Sequence, residues 1–115
     1  MLSFRSSADN IVAAINATQA VIQFSLDGII QTANDNFLHT MGYSLAEVVG
    51  KHHRMFVAPA EAQSTEYTQF WQRLRQGKPQ TAEFKRKAKD GSDVWIQASY
   101  TPILKNGKVD RIIKF

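Results

Sequence analysis

The sequence predicts an α+β domain in which an antiparallel sheet carries short helices on one face. Three observations lead there. Asp27-Gly28, Asp90-Gly91 and Asn106-Gly107 each separate two strand-like runs, the pattern of a hairpin turn. The middle of the chain instead carries a stripe at helical spacing, Tyr67, Phe70, Trp71 and Leu74. The order is thus two strands, several helices and three strands, which is how a segregated α+β architecture reads.

Taken in order, Ser7-Ala8-Asp9-Asn10 offers a helix N-cap ahead of Ile11, Val12 and Ile15 at helical spacing. Ala20 to Leu26 reads as a strand with Ile22, Phe24 and Leu26 on one face. Asp27-Gly28 is expected to form a type I′ turn, and Ile29 to Thr32 returns as the second strand. Asn34 to Met41 forms a short helix stopped by Gly42. Ser44-Leu45-Ala46-Glu47 then matches the capping box of another, closed by Gly50. The aromatic stripe lies on a helix from Thr65 to Gln76, ended by Gly77, and strands follow over Thr81 to Lys89, Asp93 to Leu104 and Val109 to Phe115. The expected organisation is an N-terminal cap helix over 1–19 and one domain over 20–115, with the last strand running to the end as in a fragment of a longer protein.

A chain of 115 residues, 43% hydrophobic and 21% charged, is an ordinary globular domain with room for one small pocket, not for a large multi-substrate site. It has no cysteine, which removes disulfides, thiolate metal sites and cysteine nucleophiles together. No apolar run approaches the roughly 20 residues of a membrane span, so no membrane contact is expected and the expected compartment is the cytosol. A net charge of +4 is too small an excess to argue for nucleic acid. The run Lys85 to Lys89 lies along a strand and lacks interleaved exposed aromatics, so a solvated strand edge accounts for it better. No paired carboxylates, phosphate loop, metal motif or serine–histidine–acid set is present, so no enzyme is expected.

Several motifs in sequence resemble a PAS domain over nearly the whole chain: Leu26-Asp27-Gly28, Ala33 to Phe37, Gly42-Tyr43-Ser44, Glu47 to Lys51, Lys89-Asp90-Gly91, Val94-Trp95-Ile96 and Thr101-Pro102-Ile103. More narrowly, His52 to Phe56, Phe70 to Leu74 and Trp95 to Tyr100 are similar to PAS domains near the start of bacterial methyl-accepting chemoreceptors, the aerotaxis receptors among them. The resemblance implies a PAS fold with a five-stranded antiparallel sheet and a pocket under its helices. It also implies a sensory role, with a small-molecule ligand or cofactor and a C-terminal chemoreceptor signalling domain as output. Fold does not name the ligand.

Cofactor expectations come from the same resemblance. Light-sensing flavin domains of the family use a cysteine, absent here. Haem sensors of the rhizobial type carry a ligand histidine where this chain has Ser64, which disfavours haem. Flavin-binding aerotaxis receptors have counterparts of Asn34, His53 and Trp71, but where they carry an Arg-His-Pro-Asp stretch this chain reads Val57-Ala58-Pro59-Ala60. FAD is thus compatible with part of the pattern, and the cofactor stays unknown.

The candidate binding residues are Asn34, His53, Trp71, Phe84, Arg86, Ile96 and Ala98. Three of them, His53, Trp71 and Arg86, have a bland alternative. A histidine between helices is commonly satisfied by backbone, and adjacent His52 and His53 seldom share one metal. Trp71 on an apolar stripe is ordinarily core. Arg86 is the most informative, because period 2 puts it with Ala82, Phe84 and Ala88 on the inward face. A buried guanidinium requires an internal acid, a snorkelling path or an anionic ligand. Ala98 leaves room beside Ile96, while Trp95 faces outward and is expected to be covered by the N-terminal helix or a second subunit. Two functions stay open: a ligand-binding sensory module, and a ligand-free module whose task is homodimerisation through Ile11, Val12, Ile15 and Trp95.

Overall fold

The computed structural model describes residues 7–115. Its elements are α1 (Ser7–Thr18), β1 (Ile22–Phe24), β2 (Ile30–Ala33), α2 (Asp35–Met41), α3 (Leu45–Val48), a 3₁₀ turn (His53–Phe56), α4 (Pro59–Ala62), α5 (Thr65–Arg75), β3 (Gln80–Lys87), β4 (Asp93–Lys105) and β5 (Lys108–Lys114). The five strands form one sheet in the order β2-β1-β5-β4-β3, and every pairing is antiparallel. This is the expected fold. The long crossing from β2 to β3 carries helices α2 to α5, whose apolar sides cover one face of the sheet.

Local chemistry explains most boundaries. Asn34 caps α2, its Oδ1 accepting from the Phe37 N–H at 3.0 Å, and Gly42 ends that helix in the left-handed region. At α3 the Ser44 N–H donates to Glu47 Oε1 at 2.8 Å, the return half of the capping box. Ser64 Oγ accepts from the Tyr67 N–H at 3.2 Å and starts α5. The buried side of α5 is then Tyr67, Phe70, Trp71 and Leu74, the stripe that the spacing predicts.

Four expectations are corrected. Asp27-Gly28 is not a type I′ turn: Gly28 alone has positive φ, and its N–H donates to Ser25 O at 3.0 Å while the Ser25 N–H donates to Ile29 O. That is a three-residue loop closed by a left-handed glycine, and Ala88 to Ser92 repeats it. Only Asn106-Gly107, with φ of 52° and 77°, forms the two-residue turn with both residues left-handed. Second, Ser7 to Asn10, expected to cap the first helix, are themselves helical. Third, α1 does not cover Trp95, which is 65% exposed. Fourth, the 3₁₀ turn and α4 have no counterpart in the predicted elements, being too short to show a period.

The core lies between the sheet and α2 to α5, with Ile22, Phe24, Phe56, Leu74, Tyr100 and Ile112 among its buried members. The helix α1 buries no side chain. It is tied to the domain by polar contacts: Asn34 Nδ2 donates to Gln19 O at 2.7 Å, and the Asn36 amide donates to Asn16 O at 3.2 Å.

Candidate functional site

The site begins at the edge of the sheet. The segment after α3 runs along β2: the Ile30 N–H donates to Lys51 O at 2.8 Å, the Gly50 N–H to Ile30 O at 2.9 Å, and the His53 N–H to Gly28 O at 2.9 Å. This pins His52 and His53 with opposite fates. His52 Nδ1 accepts from the Arg54 N–H at 3.0 Å and caps the 3₁₀ turn, the backbone-satisfied role expected of a loop histidine. His53 turns inward and is buried among Phe24, Phe56, Phe70 and Trp71.

Both His53 nitrogens are engaged. Nδ1 lies 2.7 Å from the Tyr67 hydroxyl and Nε2 lies 2.9 Å from the Tyr100 hydroxyl. Arg86 donates to that same Tyr100 oxygen from Nε at 3.4 Å and Nη2 at 3.3 Å. Tyr100 therefore accepts from Arg86 and gives its own proton to Nε2. The Nδ1 nitrogen must then carry the imidazole proton and donate to Tyr67. Burial, aided by the charges of Arg86 and Lys114, holds His53 well below its ordinary range, so the ring is neutral. Burial likewise pushes the Tyr67 hydroxyl up to about 12 and raises Tyr100.

Arg86 is only 4% exposed and pairs with Glu61 Oε2 at 3.1 Å, so its partner is a carboxylate of the protein, although one that is itself 47% exposed rather than internal. Its guanidinium carbon also sits 4.8 Å from the Phe84 ring centroid. A continuous hydrogen-bonded line thus runs from Glu61 on α4 through Arg86, Tyr100 and His53 to Tyr67 on α5.

Sequence reasoning missed one residue. Lys114, the last residue of β5, is 3% exposed, with its ammonium 5.0 Å from the Phe37 ring centroid and 5.9 Å from that of Tyr100. Burial, with Arg86 nearby, pulls it down to about 8 from an ordinary 10.5. The signal was available: alternation along β5 puts Lys114 on the same face as Ile112.

An internal cavity of about 10 Å³ is bounded by Ile22, Phe24, Phe37, Met41, His53, Phe56, Arg86, Ile96, Tyr100 and Lys114. That is room for about one water. Of the candidate residues, His53, Arg86 and Ile96 meet there. Trp71 packs edge-on against His53 and Phe24 at 5.4 and 5.5 Å without reaching the cavity. Its indole N–H is buried with no hydrogen-bond partner among the described residues. Ala98 is buried but does not bound the cavity. Phe84 faces an open groove of about 360 Å³ between α5 and β3, shared with Glu61, Tyr67, Phe70 and Arg86. Asn34 stands apart. Its amide is spent on Val21, Phe37, Asn16 and Gln19 at the α1–β1–α2 junction.

These placements test the cofactors. An isoalloxazine ring requires a pocket on the order of 300 Å³ or more. The interior has a small fraction of that, and both nitrogens of His53 and all of the Asn34 amide are committed elsewhere. With the side chains so placed, the internal cavity does not hold an isoalloxazine ring, and among the described residues the space of that size that candidate residues line is the groove beside Phe84. Haem would need a free axial ligand, and His53 has none to offer while Ser64 caps a helix.

Among the described residues, no cluster of three metal-ligating side chains occurs, and no helix is long and apolar enough to cross a membrane. The lysine-rich strand β3 is a sheet edge, with Lys87 paired to Asp93 at 2.6 Å and the adjoining Lys89 to Glu47 at 2.5 Å.

Comparison with known proteins agrees with this geometry. The profile of the PAS fold family matches residues 30–115. The chain is 41% identical over 103 residues to the biofilm dispersion protein BdlA of Pseudomonas aeruginosa, covering 89% of this chain and 25% of that protein. It is 31% identical over 84 residues to the aerotaxis receptor of Escherichia coli, covering 73% of this chain and 16% of the receptor. The chain therefore spans about a quarter or less of these relatives.

Among solved structures, a light-oxygen-voltage domain studied with a flavin analogue superposes with a TM-score of 0.75 at 26% identity, over 91% of this chain and 81% of that one. A PAS domain from Colwellia psychrerythraea superposes at 0.79 with 22% identity, over 95% and 93%, a likeness of fold alone. Sequence profile, relatives and sheet order converge, and the chain belongs to the PAS fold family.

Proposed function

We propose that this domain is a cytosolic sensory module of a chemotaxis-type signalling protein, binding a small ligand between sheet and helices and passing occupancy to a C-terminal output domain. One observation carries the reading. The wall of the internal cavity joins polar side chains from three separate elements: His53 from the 3₁₀ turn, Arg86 from β3 and Lys114 from β5. A ligand that engages Arg86 competes with Glu61 and Tyr100 for its donors. Because Tyr100 receives Arg86 and gives to His53, a changed Arg86 contact alters the hydrogen bonding at His53 and then at Tyr67 on α5. Lys114 offers the same ligand a direct connection to β5, the strand through which the chain leaves the sheet. Two arrangements with different ligand affinity are what such coupling requires.

The test is to heat-release small molecules from freshly purified full-length protein, identify them by mass spectrometry, and add the released compound back. A compound near one per chain that slows amide exchange in β5 on re-addition supports the reading. Nothing released, with no change in β5 exchange on adding back the extract, overturns it.

A second reading, ligand-free homodimerisation, is favoured by the smallness of the cavity and by the bare apolar positions Ile11, Val12 and Trp95. Removing residues 1–16 gives a monomer by sedimentation if α1 forms the contact. An unchanged dimer disposes of that interface.

A further inference from the structure

The charges around the internal cavity do not balance. Arg86 and Lys114 are both buried in its wall, and each lies 5.9 Å from the centroid of the Tyr100 ring, measured from the guanidinium carbon and the ammonium nitrogen. The carboxylate that answers them is Glu61, 47% exposed, paired with Arg86. No carboxylate among the described residues lies within ion-pair distance of Lys114, which meets the faces of Phe37 and Tyr100 instead. Ring faces recover only part of what an ammonium loses on leaving water. The other polar groups cannot help: His53 has both nitrogens committed, and the Tyr100 oxygen already accepts from Arg86 and gives its proton to His53.

Two cations against one carboxylate leave a single positive charge uncompensated in an apolar interior. We infer that this interior takes a small monoanion of about the size of formate, admitted by a slight shift of the wall side chains and held between Lys114 and Arg86. The inference rests on the ligand-sensing reading and narrows its ligand class. Charge selects the class, because one negative charge neutralises the wall whereas a dianion such as sulfate would over-compensate it. Size selects within it, since the cavity of about 10 Å³ admits one water-sized species before side chains must move. The remaining wall, which includes Ile22, Phe24, Phe56 and Ile96, excludes water and strengthens the contact of an anion with both cations.

The experiment titrates the full chain with sodium formate, keeping total ionic strength constant with sodium gluconate, a monoanion too large for the cavity. The readouts are the thermal unfolding midpoint and tryptophan fluorescence. Formate is expected to raise the midpoint saturably, with the folding equilibrium constant about 100-fold higher at 100 times Kd, while gluconate does nothing. Lys114→Met is expected to abolish the formate response and to fold at least as stably as the parent without anion, since it removes an unpaired buried charge. Lys114→Gln serves the same purpose if the methionine variant does not fold, and Lys87→Met, on the exposed edge, should respond like the parent.

Equal responses to formate and gluconate, or a formate response that survives loss of the Lys114 charge, overturn the inference. A neutral compound released by heat at one per chain, with no formate response, also overturns it but leaves ligand sensing standing. No release and no formate response overturn both.

Discussion

His53 Nε2 lies 2.9 Å from the Tyr100 hydroxyl, the oxygen that also receives two N–H groups of Arg86. The direction of each bond follows from that sharing, and so does the tautomer of the imidazole. The ¹⁵N shifts of His53 should report a neutral ring protonated on Nδ1. A ring protonated on Nε2 would contradict the assigned network.

Tyr100→Phe leaves His53 Nε2 and two Arg86 donors without their partner inside the protein. Stranded buried polar groups cost about 1–3 kcal/mol apiece, so urea unfolding of this variant should show a loss of about 3 kcal/mol. Tyr67→Phe strands only Nδ1, and about half that loss is expected. Equal losses in the two variants would show that Tyr100 is not the shared node.

Stability should rise with pH on the alkaline side. Lys114 titrates near 8 in the folded domain and at 10.5 ordinarily, so between those values the unfolded chain binds more protons. The groups facing it are Arg86 from β3, Tyr100 from β4 and neutral His53. From pH 8 to pH 10 the gain should be about 2 kcal/mol. Above about pH 10 the curve turns down, because Tyr67 and Tyr100 keep their protons when folded and ionise on unfolding. Below about pH 6.5 stability falls as well, since His53 takes up its proton only when unfolded. Urea midpoints at pH 7.5, 9 and 10 check the alkaline limb, which Lys114→Met should flatten. A flat parent profile would remove Lys114 as its source.

The two similar glycine loops should respond differently to alanine. Gly91 has a φ of +85° with nothing within 4 Å of a built Cβ, so Gly91→Ala should cost only the left-handed backbone strain, about 1 kcal/mol. Gly28 has a φ of +81°, and its Cβ would stand 2.8 Å from His52 Nε2 and 3.2 Å from Trp71 Cζ2. Neither ring is free to retreat, because His52 caps the 3₁₀ turn and Trp71 is in the core. Gly28→Ala should cost about 3 kcal/mol, adding overpacking to strain. Equal midpoints for the two variants would mean that the His52–Trp71 contact yields freely.

Trp95→Thr should leave the unfolding free energy within about 0.5 kcal/mol, since the ring is mostly in solvent and threonine suits a strand. Sedimentation of the same variant separates the roles: weaker self-association marks Trp95 as part of a homodimer contact, and unchanged association removes it from one.

Much of this fold was legible from local chemistry. Asn106-Gly107 turns where two left-handed residues are needed, Asn34 caps the helix that follows it, and Tyr67, Phe70, Trp71 and Leu74 bury the face that their spacing marks. Period 2 put Arg86 inside; the same rule, had it been read along β5, would have put Lys114 there too, and that residue was missed. The 3₁₀ turn and α4 were not legible, because four residues are too few to carry a period.

What the sequence by itself determined was the longer elements, their faces and one inward charge, Arg86, because turn chemistry and periodicity act over a few neighbouring residues. Only the tertiary structure decided the partners. Glu61 reaches Arg86 across 25 residues, and Tyr67 and Tyr100 reach His53 across 14 and 47. Tertiary packing also decided that Asn34 serves a junction rather than a pocket, and that the interior holds room for one small species beside an ammonium without a carboxylate. Those contacts depend on how sheet and helices close over one another, and no stretch of local sequence encodes that distance.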